Sequence, residues 1–396
     1  MKVHIVCGAN LGDEGKGMSV DFLTSLADDP IVVRFNGGAN AGHTVETPDG
    51  RRHVFHHFGS GTFLGAPTFL SKFFVVDPTA FLREFEDLSK LNCSPKVYVD
   101  INAHLVTPFD VVINQTAEHN RGNNKHGSCG FGINETITRN GTHVDFSTTV
   151  FDLLHPIELR KKLIHIKDSY VKTRLELLGM DGNIDICDSD IDNFIDECAA
   201  MFHHVTIVPG PEFLKNFESV IFEGAQGLLL DEFHPWFPHV TRSRTGVFNA
   251  CEILKEIGID EANVLYITRS YLTRHGAGPL PFEVAGPIYE GIVDNTNVPN
   301  PHQGTLRFAP FNFDLIEESI IDDLNTVSGI NLFPNLVVTC VNQVPEEVKY
   351  VTKGRVVETA RVDFLYKLIC SVSVFEERAG TVLFSRSPNR DGFSLI

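Results

Sequence analysis

Short runs of β-branched and other apolar residues alternate along the chain with longer stretches whose apolar positions recur every three or four residues. The short runs predict strands at Val3–Val6, Ile31–Phe35, Val97–Val99, Val220–Phe222, Val264–Thr268, Leu336–Val341 and Val382–Phe384. The longer ones predict helices at Gly17–Leu26, Ala80–Leu91, Phe109–Glu118, Ile157–Leu178, Ile191–His203, Val247–Ile257 and Phe313–Asn325. Strands alternating with helices are the pattern of an α/β protein with a mainly parallel central sheet flanked by helices. Neither an internal repeat nor a low-complexity linker interrupts the pattern, so residues 1–396 read as one domain with a helical insertion around 150–215. Two segments rich in Gly, Asn and Pro, Asn120–Asn134 and Asn295–Pro310, lack periodicity. Loops of that length are uncommon in a compact domain unless they serve a function, which makes both of them site candidates.

Composition narrows the class. With 42% hydrophobic and 21% charged residues over 396 positions, disorder is excluded as the main state. The balance of 33 Lys+Arg against 51 Asp+Glu gives a net charge of −18, which argues against non-specific binding to nucleic acid or to an anionic membrane. An anionic ligand then needs a local basic cluster. The eight cysteines (Cys7, Cys93, Cys129, Cys187, Cys198, Cys251, Cys340, Cys370) form no CxxC pair, so reduced thiols are expected rather than a zinc site or a disulfide framework. The apolar start, Met1–Gly8, is too short for a signal peptide, and no run approaches the ~20 residues of a bilayer span. The expected location is the cytoplasm.

Two constellations carry chemistry. Gly12-Asp13-Glu14-Gly15-Lys16-Gly17 follows a strand and opens a helix, where glycines let backbone N–H groups approach phosphate oxygens and Lys16 adds a full charge to the helix N-terminus. It is not a Walker A loop, because Asn10 stands where its first glycine would be and Gly17 replaces its Ser/Thr. By themselves these six residues also read as a Gly-rich turn with a solvated lysine. Arg34-Phe35-Asn36-Gly37-Gly38-Ala39-Asn40-Ala41-Gly42-His43-Thr44 follows the next strand, and a parallel sheet binds ligands beyond the carboxyl ends of its strands. His43 there can donate a proton to an oxyanion, whereas His56, His57, His203 and His204 read as packing or solvated residues. The acidic stretch Asp181–Asp196 reads as a solvated face.

The chain resembles the adenylosuccinate synthetases. That family is marked by GDEGKG and GGxNAGHT, seen here from Gly12 and from Gly37, and by EGAQG with a following P-x-V-T, seen at Glu223–Gly227 and Pro238–Thr241. It continues with TRxGxGPxPxE at Thr273–Glu283 and a C-terminal S-x-x-P-x-R at Ser385–Arg390. The resemblance implies a fold like that of the P-loop NTPases, with inserted helical subdomains and long active-site loops, and a homodimer. It also implies a ligase that couples a 6-oxopurine monophosphate to L-aspartate after a triphosphate has activated the purine O6. By that analogy Asp13 removes the N1 proton, His43 stabilises or protonates O6, and Lys16 stabilises the transferring phosphoryl group. The triphosphate would lie against Gly12, Asp13, Glu14, Gly15, Lys16, Gly17, Gly42, His43, Thr44, Arg307, Asn342, Gln343 and Ser385. Asp13, Asn40, Ala41, Ser128, Cys129, Arg139, Gln226 and Thr241 would hold the monophosphate, with Arg139 reaching across the dimer. Gln303, Gly304, Thr305 and Arg307 would hold the aspartate, and Mg²⁺ would take Asp13 and the Gly42 carbonyl.

Three departures from the family pattern bear on the substrates. Where family members read guanine with T-K-x-D, this chain has Thr339-Cys340-Val341-Asn342. An aspartate accepts two hydrogen bonds from guanine, whereas Asn342 offers one acceptor and an amide donor, the complement of adenine. The aspartate loop T-G-R-x-R becomes Gln303-Gly304-Thr305-Leu306-Arg307, and Thr305 replaces the arginine that reaches the ribose 2′-hydroxyl in the family. The third loop, GTTGRGIGP in the family, here reads Gly127-Ser128-Cys129-Gly130-Phe131-Gly132-Ile133-Asn134. Together these changes resemble the phage branch, the 2-amino-2′-deoxyadenylosuccinate synthetases that supply diaminopurine for DNA. That points to dGMP as acceptor and ATP or dATP as donor; the alternatives are an ordinary enzyme using IMP and GTP and, remotely, an inactive nucleotide sensor.

Overall fold

The apolar runs of the sequence become the interior of one large sheet. The computed structural model describes residues 1–122, 130–180, 184–294, 304–372 and 380–395. The sheet's strands, numbered here in chain order, are β1 (Lys2–Gly8), β2 (Pro30–Arg34), β3 (Thr68–Leu70), β4 (Val97–Asp100), β5 (Val205–Val208), β6 (Ser219–Glu223), β7 (Glu261–Arg269), β8 (Asn331–Thr339), β9 (Val382–Ser385) and β10 (Phe393–Leu395). They lie in the order β10-β9-β8-β7-β1-β6-β2-β3-β4-β5, all parallel except the antiparallel edge pair β9–β10.

Both faces of this sheet are covered, which is why its central strands are apolar throughout. Val3, Ile5 and Cys7 pack on one side with Val220, Phe222, Val264 and Tyr266. Val6, Ile221, Leu265 and Ile267 pack on the other with Val20 and Leu23 of α1 (Lys16–Leu26). A second core, containing Phe58, Phe81, Phe109, Leu159, Leu163 and Phe194, lies beneath the helices of the region between β3 and β5. Among these, α2 (Pro78–Lys90) begins at Asp77, whose carboxylate accepts the Ala80 N–H at 3.1 Å, and α3 (Pro108–Asn120) begins with a Thr107–Asp110 capping box. A smaller four-stranded sheet is built from Tyr271–Arg274, Arg307–Asn312, Glu347–Thr352 and Arg355–Ala360.

The expected strands and helices are all present, with adjustments. Residues 157–178 do not form one regular helix: Pro156–His165 and Lys172–Leu177 are α-helical and Ile166–Val171 between them is a π-turn. β5 lies inside the span expected to be a helical insertion and pairs with β4, so the end of that span belongs to the central sheet. Regular structure reaches into both expected loops: α4 (Ile133–Asn140) begins within the first, and a strand begins at Arg307 within the second. Cys7, Cys93, Cys187, Cys198, Cys251 and Cys340 carry free thiols. No helix among the described residues is long and apolar enough to cross a membrane.

Candidate active site

The ends of β1, β2, β6, β7 and β8 converge on a cleft of about 690 Å³, within the size range of small-molecule sites. Its walls bring together Gly12, Asp13, Glu14, Gly15, Lys16, Gly17, Asn40, Ala41, Gly42, His43, Thr44, Gln226, Asn342 and Gln343, so residues of both constellations, the expected base reader Asn342 and its neighbour Gln343 face one space. The turn after β1 is clamped from two sides. Thr339 at the end of β8 donates to the Glu14 carbonyl at 2.9 Å, and Asn10 donates to Thr268 Oγ1 at 2.9 Å. On the other side the turn after β6 presses backbone to backbone against it: a Cβ on Gly227 would stand 2.5 Å from the Asn10 carbonyl, so only glycine fits. Gly15, at φ 98°, supplies the left-handed bend that starts α1. Asp13, Gln226 and Cys340 adopt left-handed backbone without being glycine, and all three line the cleft.

His43 is held from behind. Its Nδ1 lies 2.6 Å from Glu223 Oε1, at the end of β6, and 3.1 Å from Arg34 Nη1. A carboxylate only accepts, so Nδ1 carries the hydrogen and Nε2, buried and without a protein partner, is the atom left for a ligand. Glu223 also accepts the Ser60 N–H at 2.9 Å and the Ser60 hydroxyl. Burial pushes the Glu223 carboxyl up, but His43, Arg34 and Ser60 outweigh it and hold the group at about 2. Burial and the neighbouring Arg34 lower the imidazole to about 4, against the pull of Glu223, so without ligand His43 is neutral at pH 7.

Glu14 is the contrasting case. Burial raises its carboxyl to about 7 even though Lys16 and Asn10 favour the charge. Its Oε1 accepts from the Asn10 backbone and side chain, both at 2.9 Å, and its Oε2 has no hydrogen-bond partner.

Other expected residues are placed elsewhere. Arg139 is wholly buried, and all five of its N–H groups are committed: to both Asp110 oxygens, to Asn140 Oδ1 and to the carbonyls of Leu105 and Phe146. It has no donor left for a substrate phosphate, in this subunit or a neighbour, and the expectation that it reaches one is corrected. Ser385 is buried beneath the cleft and donates to the Ser387 carbonyl at 3.0 Å; the turn it shapes, Ser387-Pro388, is what lines the cleft. Thr241 pairs its N–H with the Leu230 carbonyl and does not line the cleft. Arg307 grips Glu283 with a forked contact and donates to the carbonyls of Gly276 and Gly278, and neither it nor the exposed Gly304 and Thr305 line the cleft. Ser128, Cys129 and Gln303 lie outside the described residues. Of the three cations expected to offset the acidic total, Lys16 alone lines the cleft. Arg52 and Arg269 join it there, and neither was singled out in the sequence because no motif contains them. Glu223 was visible only as a letter of EGAQG.

Mg²⁺ fits this donor set. Asp13 and Gly42 are both exposed on the cleft wall, a carboxylate and a carbonyl oxygen of the hard type this ion takes. No cluster of three or more His, Cys, Asp or Glu able to chelate a metal exists among the described residues.

Comparison with known proteins decides the family. The adenylosuccinate synthetase family model matches residues 5–363. The chain belongs to the adenylosuccinate synthetase family. Its members are ligases that form a C–N bond. The adenylosuccinate synthetase of Azobacteroides pseudotrichonymphae genomovar. CFP2 is 30% identical over 403 aligned residues, covering 96% of this chain and 88% of that one. That of Microcystis aeruginosa is 33% identical over 300 residues, covering 73% of this chain but 64% of its own length. The fold is shared with the fully ligated adenylosuccinate synthetase of Plasmodium falciparum (TM-score 0.79, 19% identity, 100% of both chains). It is also shared with the cyanophage S-2L succinoaminodeoxyadenylate synthetase bound to dGMP and dATP as an energy donor (TM-score 0.67, 15% identity, 100% of this chain and 95% of that one).

Proposed function

We propose that this adenylosuccinate synthetase family member ligates dGMP to L-aspartate with ATP or dATP as phosphoryl donor, giving 2-amino-2′-deoxy-N6-succinyladenylate, ADP or dADP, and phosphate. The observation that carries this reading is Asn342, which lines the cleft beyond β8 in the company of Cys340, Gln343 and Pro388. Its amide offers a donor to adenine N1 and an acceptor to the 6-amino group, whereas guanine N1–H and its 2-amino group would face one acceptor, and a buried donor left unpaired costs about 1–3 kcal/mol. The family's arginine at the Thr305 position, a partner for a ribose 2′-hydroxyl, is absent from this sequence, and although Thr305 itself lies outside the cleft wall that loss favours a deoxynucleotide. The fold itself is shared both with a phage enzyme bound to dGMP and dATP and with an adenylosuccinate synthetase.

In the proposed mechanism Asp13 takes the proton from purine N1, and the O6 so charged attacks the γ-phosphorus as ADP leaves. His43, with Nδ1 fixed by Glu223, presents Nε2 to O6; it must be protonated to donate there, and the carboxylate behind it stabilises that cation as negative charge gathers in front. Lys16 and the backbone N–H groups of the turn at Gly15–Gly17 neutralise the moving phosphoryl oxygens, each such donor being worth about 3 kcal/mol in the barrier. Mg²⁺, when bound, supplies further positive charge to those oxygens. The aspartate amine then displaces phosphate from C6. Val144, Phe151, Leu154 and Ile157 are exposed apolar residues close in sequence and are candidates for the face of the homodimer that the family resemblance implies.

The curated relatives, named adenylosuccinate synthetases at 30–34% identity, favour a second reading with IMP and GTP. One assay separates the two: IMP or dGMP crossed against GTP, ATP or dATP, with Mg²⁺ and aspartate, and detection of the succinylated purine. The proposal expects product from dGMP with an adenine donor. Turnover confined to IMP and GTP overturns it, and no product in any combination overturns the ligase reading itself. Asn342→Asp is expected to move donor preference toward GTP at least tenfold, and unchanged competition would remove Asn342 from base reading.

A further inference from the structure

Arg269 ends β7 between the two ends of the cleft, 8% exposed, and its guanidinium binds three groups that are far apart in sequence. Nε donates to the Asp13 carbonyl at 2.6 Å, Nη2 donates to Asp294 Oδ2 at 2.9 Å, and Nη1 lies 3.4 Å from the Tyr271 hydroxyl oxygen. The Tyr271 hydroxyl donates to Gln343 Oε1 at 2.5 Å, and Gln343 Nε2 donates to the Val293 carbonyl at 3.2 Å. The direction of this chain is forced. A guanidinium cannot accept and a peptide carbonyl cannot donate, so Tyr271 accepts from Arg269 and passes its own hydrogen to Gln343. Gln343 therefore presents its carbonyl oxygen to Tyr271 and its amide to Val293, on the cleft wall that Asn342 also lines, while the other arm of Arg269 holds the peptide of Asp13 in its left-handed conformation.

The geometry points to Arg269 as a positioning residue that couples the placement of Asp13 to the donor-base edge at Asn342 and Gln343. This rests on the reading of Asp13 as the base and of Asn342 as the base reader. A donor whose base fits that edge then meets an Asp13 already aimed, while a misfit disturbs Gln343 and, through Tyr271 and Arg269, the turn that carries Asp13. Lysine cannot replace the fork, since one ammonium cannot span the Asp13 carbonyl, Asp294 and Tyr271 together.

Three enzymes test this: Arg269→Lys, Tyr271→Phe, which keeps the ring and cuts the chain, and the double variant. Arg269→Lys is expected to lower kcat about 100-fold with KM for the monophosphate within threefold. Tyr271→Phe is expected to reduce the ATP-over-GTP ratio of kcat/KM about tenfold, and the double variant to discriminate no worse than Arg269→Lys alone. A kcat for Arg269→Lys within threefold of wild type, a Tyr271→Phe donor ratio equal to wild type, or additive losses in the double variant overturns the coupling. Should Arg269→Lys fail to fold by circular dichroism, the donor ratio of Tyr271→Phe decides. If wild type prefers GTP, the base reading fails, yet the kcat of Arg269→Lys measured with GTP still tests the hold on Asp13.

Discussion

Two buried glutamates flank the cleft, one ending β6 and one in the turn after β1, and they titrate in opposite directions. Glu223, ending β6, is held at about 2 because a histidine, an arginine and two Ser60 donors surround it. Glu14, in the turn after β1, is raised by burial to about 7, because Lys16 and the Asn10 donors on one oxygen only partly offset it and the other oxygen has no hydrogen-bond partner. Burial is common to both, so the number and charge of partners decides the sign. The consequence is functional. Glu223 is a permanent anion that orients His43 and stabilises its cation. Glu14, drawn toward its neutral form by burial, offsets less of the Lys16 charge than a fully ionised carboxylate would.

The largest effect is expected from removing the anion. Glu223→Gln lets an amide face Nδ1 and frees His43 to place its hydrogen on the other nitrogen, and steady-state kinetics should show kcat falling about a thousandfold, about 4 kcal/mol in the barrier. A loss of tenfold or less would mean that His43 acts without that carboxylate. Glu14 should instead appear in stability. Its folded value, about 7, lies above the ordinary 4.5, so the folded state binds the proton more tightly and stability falls as pH rises from about 4.5 to 7. Denaturant unfolding of the ligand-free protein should show the gap between Glu14→Gln and wild type widening in favour of the variant by about 3 kcal/mol from pH 5 to pH 8. A gap independent of pH would place Glu14 among ordinary ionised carboxylates. The smallest effect should come from Ser60→Ala, which strips one donor from Glu223: about fivefold to tenfold in kcat, near 1 kcal/mol, and recovered by Ser60→Thr. Equal losses in the alanine and threonine variants would show that the hydroxyl contributes nothing.

The same contrast between partners near and far explains what could be read from the sequence. Strands β1, β2, β6, β7 and β8 were legible because burial on both faces leaves runs of apolar residues. β3 and β10, three residues each, are too short to show a period. Helix α4 was hidden because its buried positions are Glu135, Thr136 and Arg139, so no apolar stripe marks it. In the site, residues contiguous in a motif were found together, since the turn after a strand keeps its neighbours in the fold. Arg139 was misread for the opposite reason: its partner Asp110 lies 29 positions away, and only the packing of α3 against α4 brings them together. Arg269 went unseen likewise, because Asp13 and Asp294, which it joins, lie 256 and 25 positions away. The net charge of −18 is balanced locally by a few buried or clamped cations, and which cations those are is a property of the fold.

The claim on which the account depends is that the cleft turns the purine O6 into a phosphate leaving group. dGMP labelled with ¹⁸O at C6, incubated with ATP, Mg²⁺ and aspartate, tests this directly by mass spectrometry of the released phosphate. The account predicts one labelled phosphate for each succinylated product formed. Unlabelled phosphate, with the isotope recovered in water, would show that O6 leaves without phosphorylation and would contradict it.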